Sequence, residues 1–242
     1  MMNEKVPELQ EIIDRARHVV FFTGAGVSTD SGIPDFRSQD GLYNQEYDYP
    51  PETIISHSFY ERNPEEFYRF YKNKMLVLDA EPNYVHEYIA KLEKAGKCLG
   101  VVTQNIDGLH TKAGSKRVYE LHGTIMRNYC EECGKYYPAE YVRDAAGVPK
   151  CTVCHHTVKP DVVLYEEGLS DAVLTGAVAA IQSADVMIVL GTSLVVYPAA
   201  GLLRFFGGKK LVLINRSITP YDSDADLLIQ DSFSNVFPYL HV

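Results

Sequence analysis

The chain has 242 residues, and its 23 Lys and Arg against 32 Asp and Glu give a formal net charge of −9. That charge argues against a simple nucleic-acid-binding protein, because such proteins present basic surfaces. With 46% hydrophobic and 23% charged residues, the composition is that of a soluble globular protein. No apolar run approaches the roughly 20 residues that span a bilayer, and the N-terminus lacks the features of an export signal. We therefore expect a cytoplasmic protein without membrane association.

Strand-like and helix-like segments alternate along the chain, which predicts βαβ units and a parallel sheet in an α/β fold. The first helix is expected from Pro7 to Arg17. A continuous apolar run follows and ends in a glycine turn, as a buried parallel strand does before a helix. Four such runs are predicted as strands: residues 18–23, 98–103, 185–190 and 210–215.

Two stretches interrupt this alternation. Residues 38–79 are rich in Tyr, Pro and Glu and contain a predicted helix from Pro64 to Leu78, and residues 127–159 contain two cysteine pairs. We interpret both stretches as insertions that form a smaller second domain.

Polar side chains follow each predicted strand. In open α/β sheets, ligands bind outside the carboxyl ends of the strands, so these polar ends should converge on one ligand site. They are Thr23 to Gly26, Thr103 to Asp107, Gly191 to Ser193, and Asn215.

The cysteines predict a structural zinc site. Cys130 and Cys133 form one C-x2-C pair, and Cys151 and Cys154 form a second pair after 17 intervening residues, 134–150. This spacing is typical of zinc knuckles, and four thiolates leave no open position for water or substrate. The alternative, a pair of redox dithiols, fits the spacing less well. Cys98 lies in an apolar run and is expected to be a small buried residue.

The glycine turn after the first strand allows two interpretations. Glycines there let backbone N–H groups approach a pyrophosphate at the start of a helix, whereas a turn that only packs would need the same residues. The loop Ser31 to Ser38 favours a ligand site, because it presents an acid, an aromatic ring and an arginine in succession.

Several motifs closely resemble the sirtuin family of NAD-dependent protein lysine deacylases, in the order in which that family has them. They are GAGVSTDSGIPDFRS at residues 24–38, TQNIDGLH at 103–110, ELHG at 120–123, the two cysteine pairs, KPDVVLYEE at 159–167, GTSLVVYPA at 191–199, and the strand end at Asn215. The resemblance covers nearly the whole chain.

This resemblance implies a Rossmann-type, doubly wound parallel sheet formed by residues 1–37, 80–126 and 160–242. The smaller inserted domain would combine a helical part, residues 38–79, with a zinc-binding part, residues 127–159. NAD as co-substrate and an acyl-lysine peptide would meet between the two domains.

The resemblance also implies which residues contact NAD. Gly24, Ala25, Gly26 and Thr29 would line the phosphates, and Phe36 and Arg37 would belong to the cofactor loop. Gln104 and Asn105 would contact the nicotinamide ribose, and Ile106 and Asp107 would hold the carboxamide. The adenosine half would be surrounded by Gly191, Thr192, Ser193, Asn215 and Arg216, with Ser232 near the adenine.

The reaction implied by the resemblance consumes NAD. The amide oxygen of acyl-lysine attacks C1′ of the nicotinamide ribose, nicotinamide leaves, and the products are free lysine and O-acyl-ADP-ribose. His122 would act as general base on a ribose hydroxyl, with Asn105 as the second catalytic residue. A histidine by itself is more often structural, and His122 gains this role from its place in the ELHG motif.

The substrate would be an acyl-lysine protein whose extended segment pairs as a strand between two segments of the enzyme, one with Val163 and Glu167 and the other after Ser193. The family normally has R-P-x-V-V-x-F-G-E here, whereas this chain has Lys159, Tyr165 and Glu166 in place of Arg, Phe and Gly. The extra acid predicts a preference for basic residues beside the target lysine.

Acyl preference depends on Tyr71 and Lys74, which stand where succinyl-removing relatives have Tyr-x-x-Arg. On an α-helix the two side chains would share a face and could read a carboxylate, although lysine lacks the bidentate fork of arginine. We expect a solvated lysine and deacetylation, with desuccinylation as an alternative.

Protein ADP-ribosylation at the same NAD site is a further alternative. A zinc-ribbon nucleic-acid adaptor is disfavoured by the charge. An inactive NAD sensor is disfavoured because His122, Asn105 and Asp107 are all present.

Overall fold

A computed structural model describes residues 1–35 and 49–242. Its main sheet has six parallel strands in the order β3-β2-β1-β7-β8-β9. The bounds are β1 Val19–Thr23, β2 Cys98–Thr103, β3 Val118–Glu120, β7 Val186–Leu190, β8 Lys210–Ile214 and β9 Leu227–Ile229. This is the strand order of a Rossmann-type sheet, so the predicted fold class is confirmed.

Burial explains why the apolar runs form the centre of the sheet. Every residue of β1 and β7 is buried, as expected for parallel strands covered on both faces. Along β1 the side chains alternate between two hydrophobic clusters, with Val19 and Phe21 in one and Val20 and Phe22 in the other. One face is covered by helices α1 and α5, and the other by α8.

The α-helices of the main domain and of the two insertions are short. Their bounds are α1 Val6–Arg15, α2 Pro51–Ile54, α3 His57–Arg62, α4 Pro64–Phe70, α5 Tyr84–Lys94, α6 Leu109–Lys112, α7 Ala139–Asp144 and α8 Asp171–Ser183. The predicted first helix is displaced by a residue or two, because Pro7 occupies the first turn, where its missing N–H costs nothing. Among the described residues, no helix is long and apolar enough to cross a membrane.

The predicted helix from Pro64 to Leu78 does not continue as an α-helix. It changes at Tyr71 into a π-helical turn, Tyr71–Met75, which the Leu76 N–H closes by donating to the Tyr71 carbonyl at 2.9 Å. Such turns are rare and are not visible in hydrophobic periodicity.

A second, antiparallel sheet of three strands has the order β5-β4-β6, with β4 Gly123–Cys130, β5 Tyr136–Pro138 and β6 Val158–Val162. It packs with the first insertion in one hydrophobic cluster that contains Tyr68, Tyr71 and Ile125. The buried hydroxyl of Tyr68 donates to the Val158 carbonyl at 2.7 Å. The two insertions therefore share one core, and the small sheet extends beyond residues 127–159 at both ends.

Candidate active site

The candidate site lies at the carboxyl ends of β1, β2, β7 and β8. The strand order reverses between β1 and β7, and the crevice at such a switch point is where doubly wound sheets bind ligands. The polar strand ends from the sequence therefore meet at one edge. Hydrogen bonds join the ends of β2 and β8 to the end of β7.

Three glycines bring the ends of β1 and β7 into backbone contact. The Gly24 N–H donates to the Leu190 carbonyl at 3.0 Å, and the Gly26 N–H donates to the Gly191 carbonyl at 2.8 Å. A Cβ on Gly26 would lie 2.8 Å from the Gly191 Cα, and one on Gly24 2.6 Å from the Thr192 Cβ. Packing thus requires glycine at both positions, and their two N–H groups are used within the protein. The segment Ala25–Ser31 that follows is a 3-10 helix.

A buried chain of hydrogen bonds links the loop after β2 to this 3-10 helix. The Asn105 amide donates to the Ser28 hydroxyl at 3.1 Å, and that hydroxyl donates to an Asp107 carboxylate oxygen at 2.7 Å. The Leu109 N–H donates to the other Asp107 oxygen at 2.8 Å. Burial raises the pKa of the Asp107 carboxyl, and these two hydrogen bonds offset part of that rise. Sequence reasoning did not assign Ser28 to the site, because only the fold brings it to Asn105 and Asp107.

The main chain around Ile106 is fixed by β4. The Ile106 carbonyl accepts from the Ile125 N–H at 2.9 Å and from the Thr124 hydroxyl at 3.2 Å. The Asn105–Asp107 loop is therefore held on one side by the 3-10 helix and on the other by the small sheet.

His122 lies between β3 and β4 with its ring half-buried. Its Nδ1 is 3.0 Å from the Gln104 carbonyl oxygen, which can only accept, so Nδ1 carries the proton and Nε2 has a free lone pair. Burial lowers the pKa of the imidazole below its usual range, and the Gln104 hydrogen bond offsets part of this. His122 is thus neutral at neutral pH and has the tautomer that a base acting through Nε2 requires.

The residues expected around the adenosine half are joined by further hydrogen bonds. The Gln104 amide donates to the Thr192 hydroxyl at 2.9 Å, and the Asn215 amide donates to the Thr192 carbonyl at 3.1 Å. Arg216 is 3.8 Å from Asp30 and largely exposed. Ser193 is half-buried beside Thr192.

Of the other residues predicted to contact NAD, Ala25, Thr29 and Ser232 lie within the described part of the chain. The Thr29 hydroxyl donates to the Gly26 carbonyl at 3.0 Å, and Ala25 is half-buried beside it. The Ser232 hydroxyl is hydrogen-bonded only to Ser234 among the described residues, at 2.9 Å. Phe36 and Arg37 lie outside the described residues.

The segment after β6 passes beside His122. The Val163 N–H donates to the His122 carbonyl at 3.0 Å, and no described residue donates to the Val163 carbonyl. Tyr165, in contrast, is hydrogen-bonded through its N–H to Ile55 and through its carbonyl to His57, at 3.0 Å each.

Glu167 fixes this segment from within. Its carboxylate accepts from the Leu164 N–H at 2.8 Å and lies 2.8 Å from His57 Nδ1 and 3.2 Å from Lys159 Nζ. Burial would raise the pKa of this carboxyl, but these partners together hold it below its ordinary value. Lys159, which stands in place of the family's arginine, is therefore one of three groups that hold Glu167.

Glu166 adopts a left-handed conformation, with φ of +78°, at the position where the family has glycine. Its carboxylate accepts from the Ser58 N–H at 2.9 Å and from the Ser58 hydroxyl at 3.1 Å, in the first turn of α3. Beside it is an open cavity of about 440 Å³ that Glu52, Arg62 and Tyr165 help to line.

Tyr71 and Lys74 both lie in the π-helical turn, so the face-sharing expected of α-helical i and i+3 positions does not apply to them. Tyr71 is fully buried, its ring is stacked on Phe67 at 5.7 Å, and its hydroxyl has no hydrogen-bond partner among the described residues. Lys74 is half-buried.

The four paired cysteines converge as predicted. Their sulfur atoms lie within 4.8 Å of one another, with 3.3 Å between Cys130 and Cys154 and 3.6 Å between Cys133 and Cys151. A tetrahedron of thiolates about 2.3 Å from zinc has sulfur–sulfur distances of about 3.8 Å, so the cluster fits that ion. It holds β4 and the segment before β6 together.

Comparison with known proteins identifies the family. The model of the Sir2 family matches residues 24–198, well over half of the chain. An NAD-dependent protein deacetylase of Clostridium acetobutylicum is 55% identical over 239 residues, covering 98% of each chain, and one of Clostridium perfringens is 56% identical over 238 residues, covering 97% of this chain and 98% of that protein.

Solved structures agree with this match. A Sir2 protein in complex with deacetylated p53 peptide and 3′-O-acetyl ADP-ribose is 40% identical, with a TM-score of 0.87 over 96% of this chain and 94% of that one. A Sir2 complex with p53 peptide and NAD is 42% identical, with a TM-score of 0.83 over 94% and 93%. On its sequence, its strand order and its four-cysteine cluster, the chain belongs to the Sir2 family.

Proposed function

We propose that the protein is an NAD-dependent protein lysine deacetylase that transfers the acetyl group to ADP-ribose and releases nicotinamide. The observation that carries the proposal is His122, a half-buried neutral histidine whose Nδ1 donates to Gln104 and whose Nε2 carries no proton, next to the polar loop after β2. The clostridial relatives are named as enzymes of this activity, and the similar Sir2 structures contain NAD or an acetylated ADP-ribose. Acyl-lysine proteins are the substrates.

The donor set of the site fits NAD. The loop after β2 supplies the Asn105 amide and the Asp107 carboxylate, and the 3-10 helix after β1 supplies the Ser28 hydroxyl, a set of groups that suits a carboxamide and a ribose. The ends of β1, β7 and β8 supply further polar groups at the switch point, where a dinucleotide binds in this fold. Bound NAD would supply an ADP-ribosyl group that accepts the acyl oxygen.

In this proposal, His122 accepts a proton from a ribose hydroxyl through Nε2. Its Nδ1–H, fixed on the Gln104 carbonyl, keeps the ring in the tautomer that can do so. Asn105 orients the ribose, while Ile106 and Asp107 hold the carboxamide. Gln104 would support the ribose as well, since its side chain is held by Thr192.

We assign the remaining predicted contacts to the rest of NAD. The phosphates would lie against Gly24, Ala25, Gly26 and Thr29, with Phe36 and Arg37 in the cofactor loop. The adenosine half would lie against Gly191, Thr192, Ser193, Asn215, Arg216 and Ser232.

The substrate would pair as a strand through the Val163 carbonyl, to which no described residue donates. Glu167 would act by fixing this segment, because its carboxylate is held by Leu164, His57 and Lys159. Tyr71 and Lys74 lie in a π-helical turn and do not share a face as a Tyr-x-x-Arg pair on an α-helix does, which favours acetyl over succinyl groups. The four cysteines would hold one structural zinc ion and, as thiols, fit a reducing compartment such as the cytoplasm.

Mass spectrometry of an acetyl-lysine peptide incubated with and without NAD tests the proposal. We expect NAD-dependent loss of the acetyl group with formation of O-acetyl-ADP-ribose. His122→Ala should abolish both, whereas His18→Ala, which removes an exposed histidine just before β1, should change neither. Cleavage of NAD with the peptide still acetylated would contradict the proposal, and label from NAD remaining on protein would indicate ADP-ribosyl transfer.

A further inference from the structure

Arg127 joins two acidic side chains that belong to different sheets. Its Nη1 lies 3.0 Å from a Glu120 carboxylate oxygen, and its Nε lies 2.9 Å from an Asp161 carboxylate oxygen. Glu120 is the last residue of β3 in the main sheet, and Asp161 lies on β6 in the small sheet. The guanidinium therefore connects the two sheets where the chain carrying His122 crosses between them.

The backbone shows why a connection is needed at this point. Gly123 pairs with Val162 and Asn128 pairs with Pro160, so the four residues 124–127 of β4 stand opposite the single residue Asp161. Such a bulge interrupts the ladder of backbone hydrogen bonds and redirects the chain. Arg127 is the last residue of the bulge, and its side chain spans the interruption.

The bulge has a use in the site. It brings the Ile125 N–H and the Thr124 hydroxyl to the Ile106 carbonyl, in the loop that carries Asn105 and Asp107. At its base, the Val163 N–H holds the His122 carbonyl. The loop after β2, His122 and the segment expected to bind peptide are thus all attached to the stretch of β4 that Arg127 closes.

We infer that Arg127 is a positioning residue, which by bridging Glu120 and Asp161 sets His122 and the Asn105–Asp107 loop against the peptide-binding segment. The inference rests on the proposed function. Arg127 would act through these neighbours without touching the reactants. Misplacing a catalytic group by about 1 Å can lower the rate by about 100-fold, so a loosened bulge should affect turnover more than binding.

The bridge needs the shape of arginine as well as its charge. Two separate nitrogens of one planar group hold the two carboxylates, and a lysine ammonium is a single point charge. Arg127→Lys should therefore recover only part of the activity that Arg127→Gln loses. Asp161→Asn, which weakens one of the two contacts, should have an intermediate effect.

A matched control separates positioning from a general loss of surface charge. Arg143 is 49% exposed, against 42% for Arg127, and pairs with Asp144 on α7 through its Nε at 2.7 Å. Arg143→Gln removes an arginine of similar exposure, paired with a more exposed carboxylate, away from the bulge. Glu120 is only 14% exposed and loses its cation in Arg127→Gln, so this variant should unfold at a lower denaturant concentration than Arg143→Gln. The activities of the two variants are therefore compared under conditions where urea unfolding shows both to be folded.

Two measurements on the full chain test the inference. The first is steady-state deacetylation, where Arg127→Gln should lower kcat by about 10- to 100-fold with KM for the acetyl peptide within about threefold. The second is nitrogen NMR of the His122 imidazole, which should show a changed proton balance between Nδ1 and Nε2 in Arg127→Gln and none in Arg143→Gln.

An unchanged kcat and an unchanged His122 signal would overturn the inference. A raised KM with kcat unchanged would also overturn it, since it would make Arg127 a substrate contact. If the wild type does not deacetylate, the proposed function fails, and the NMR measurement alone then decides whether Arg127 positions His122.

Discussion

Replacing Gly123 with alanine should separate His122 from the peptide-binding segment. Gly123 directly follows His122 and has a φ of +72°, and a Cβ on it would lie 1.9 Å from the Asp161 carbonyl oxygen. Real Cβ atoms stay at least 3.0 Å from such an atom. Because that oxygen belongs to the backbone of β6 and cannot rotate away, the two strands must move apart by about 1 Å.

The magnitude has two parts. A left-handed conformation costs a non-glycine residue about 1–2 kcal/mol, and forcing an extra methyl group into a packed contact costs about 1–3 kcal/mol more. The free energy of unfolding should therefore fall by about 2–5 kcal/mol. Since His122 directly precedes one of these strands and Val163 directly follows the other, kcat should fall by about 100-fold.

Gly96→Ala is the matched control for this substitution. Gly96 has a similar φ of +81°, but a Cβ there would meet nothing within 4 Å. It should lose only the conformational 1–2 kcal/mol and keep its kcat. Urea unfolding and steady-state deacetylation measure both quantities. If Gly123→Ala matched Gly96→Ala in stability and turnover, the argument from close contact would be refuted.

Three further predictions follow from the site. Because burial lowers the pKa of His122, the acid limb of the pH profile of kcat/KM should lie below pH 6.5. Activity should be lost there as the falling pH protonates the ring. An acid limb above pH 7 would contradict this prediction. Cys151→Ala should lose bound zinc, measured by atomic absorption, and should unfold at a lower temperature. Cys98→Ala, which also shortens a buried cysteine, should keep its zinc. Equal zinc contents in the two variants would contradict the zinc site. Glu166→Gly should reduce any preference for basic over acidic residues beside the acetyl-lysine, measured as the ratio of kcat/KM for the two peptides. Glu65→Gly on α4 should leave that ratio unchanged. An unchanged ratio in Glu166→Gly would show that its carboxylate serves Ser58 alone.

The strands could be predicted because burial on both faces leaves a simple pattern in the sequence. Residues 19–23 and 186–190 are continuous apolar runs, and the structure buries every one of them. The cysteine cluster could also be predicted, because two short turns with fixed spacing suffice to form it. The π-helical turn at Tyr71 was not, since a change from α to π geometry leaves the hydrophobic pattern unaltered.

The site was predicted only in part, because several of its contacts join residues that are far apart in the chain. The polar strand ends follow from the parallel sheet, but the contact of Ser28 with Asn105 and Asp107 joins residues 77 and 79 positions apart in the chain. The bridge of Arg127 to Glu120 and Asp161 depends on a bulge that no local sequence signal marks. The glycines at 24 and 26 were predicted as ligand contacts, and the structure shows that packing against Gly191 also requires them.

The shared core of the two insertions has a consequence for synthesis of the chain. Tyr68 donates to Val158, and Val158 leaves the ribosome 83 residues after Met75, the end of the aromatic segment. At about 5–20 residues per second, roughly 4–17 seconds pass before the partner strand is available. During that interval the aromatic rings around Tyr68 lack the surface that buries them. The core of the small domain therefore closes only after β6 has been made, and until then its aromatic helices depend on a chaperone for protection from aggregation.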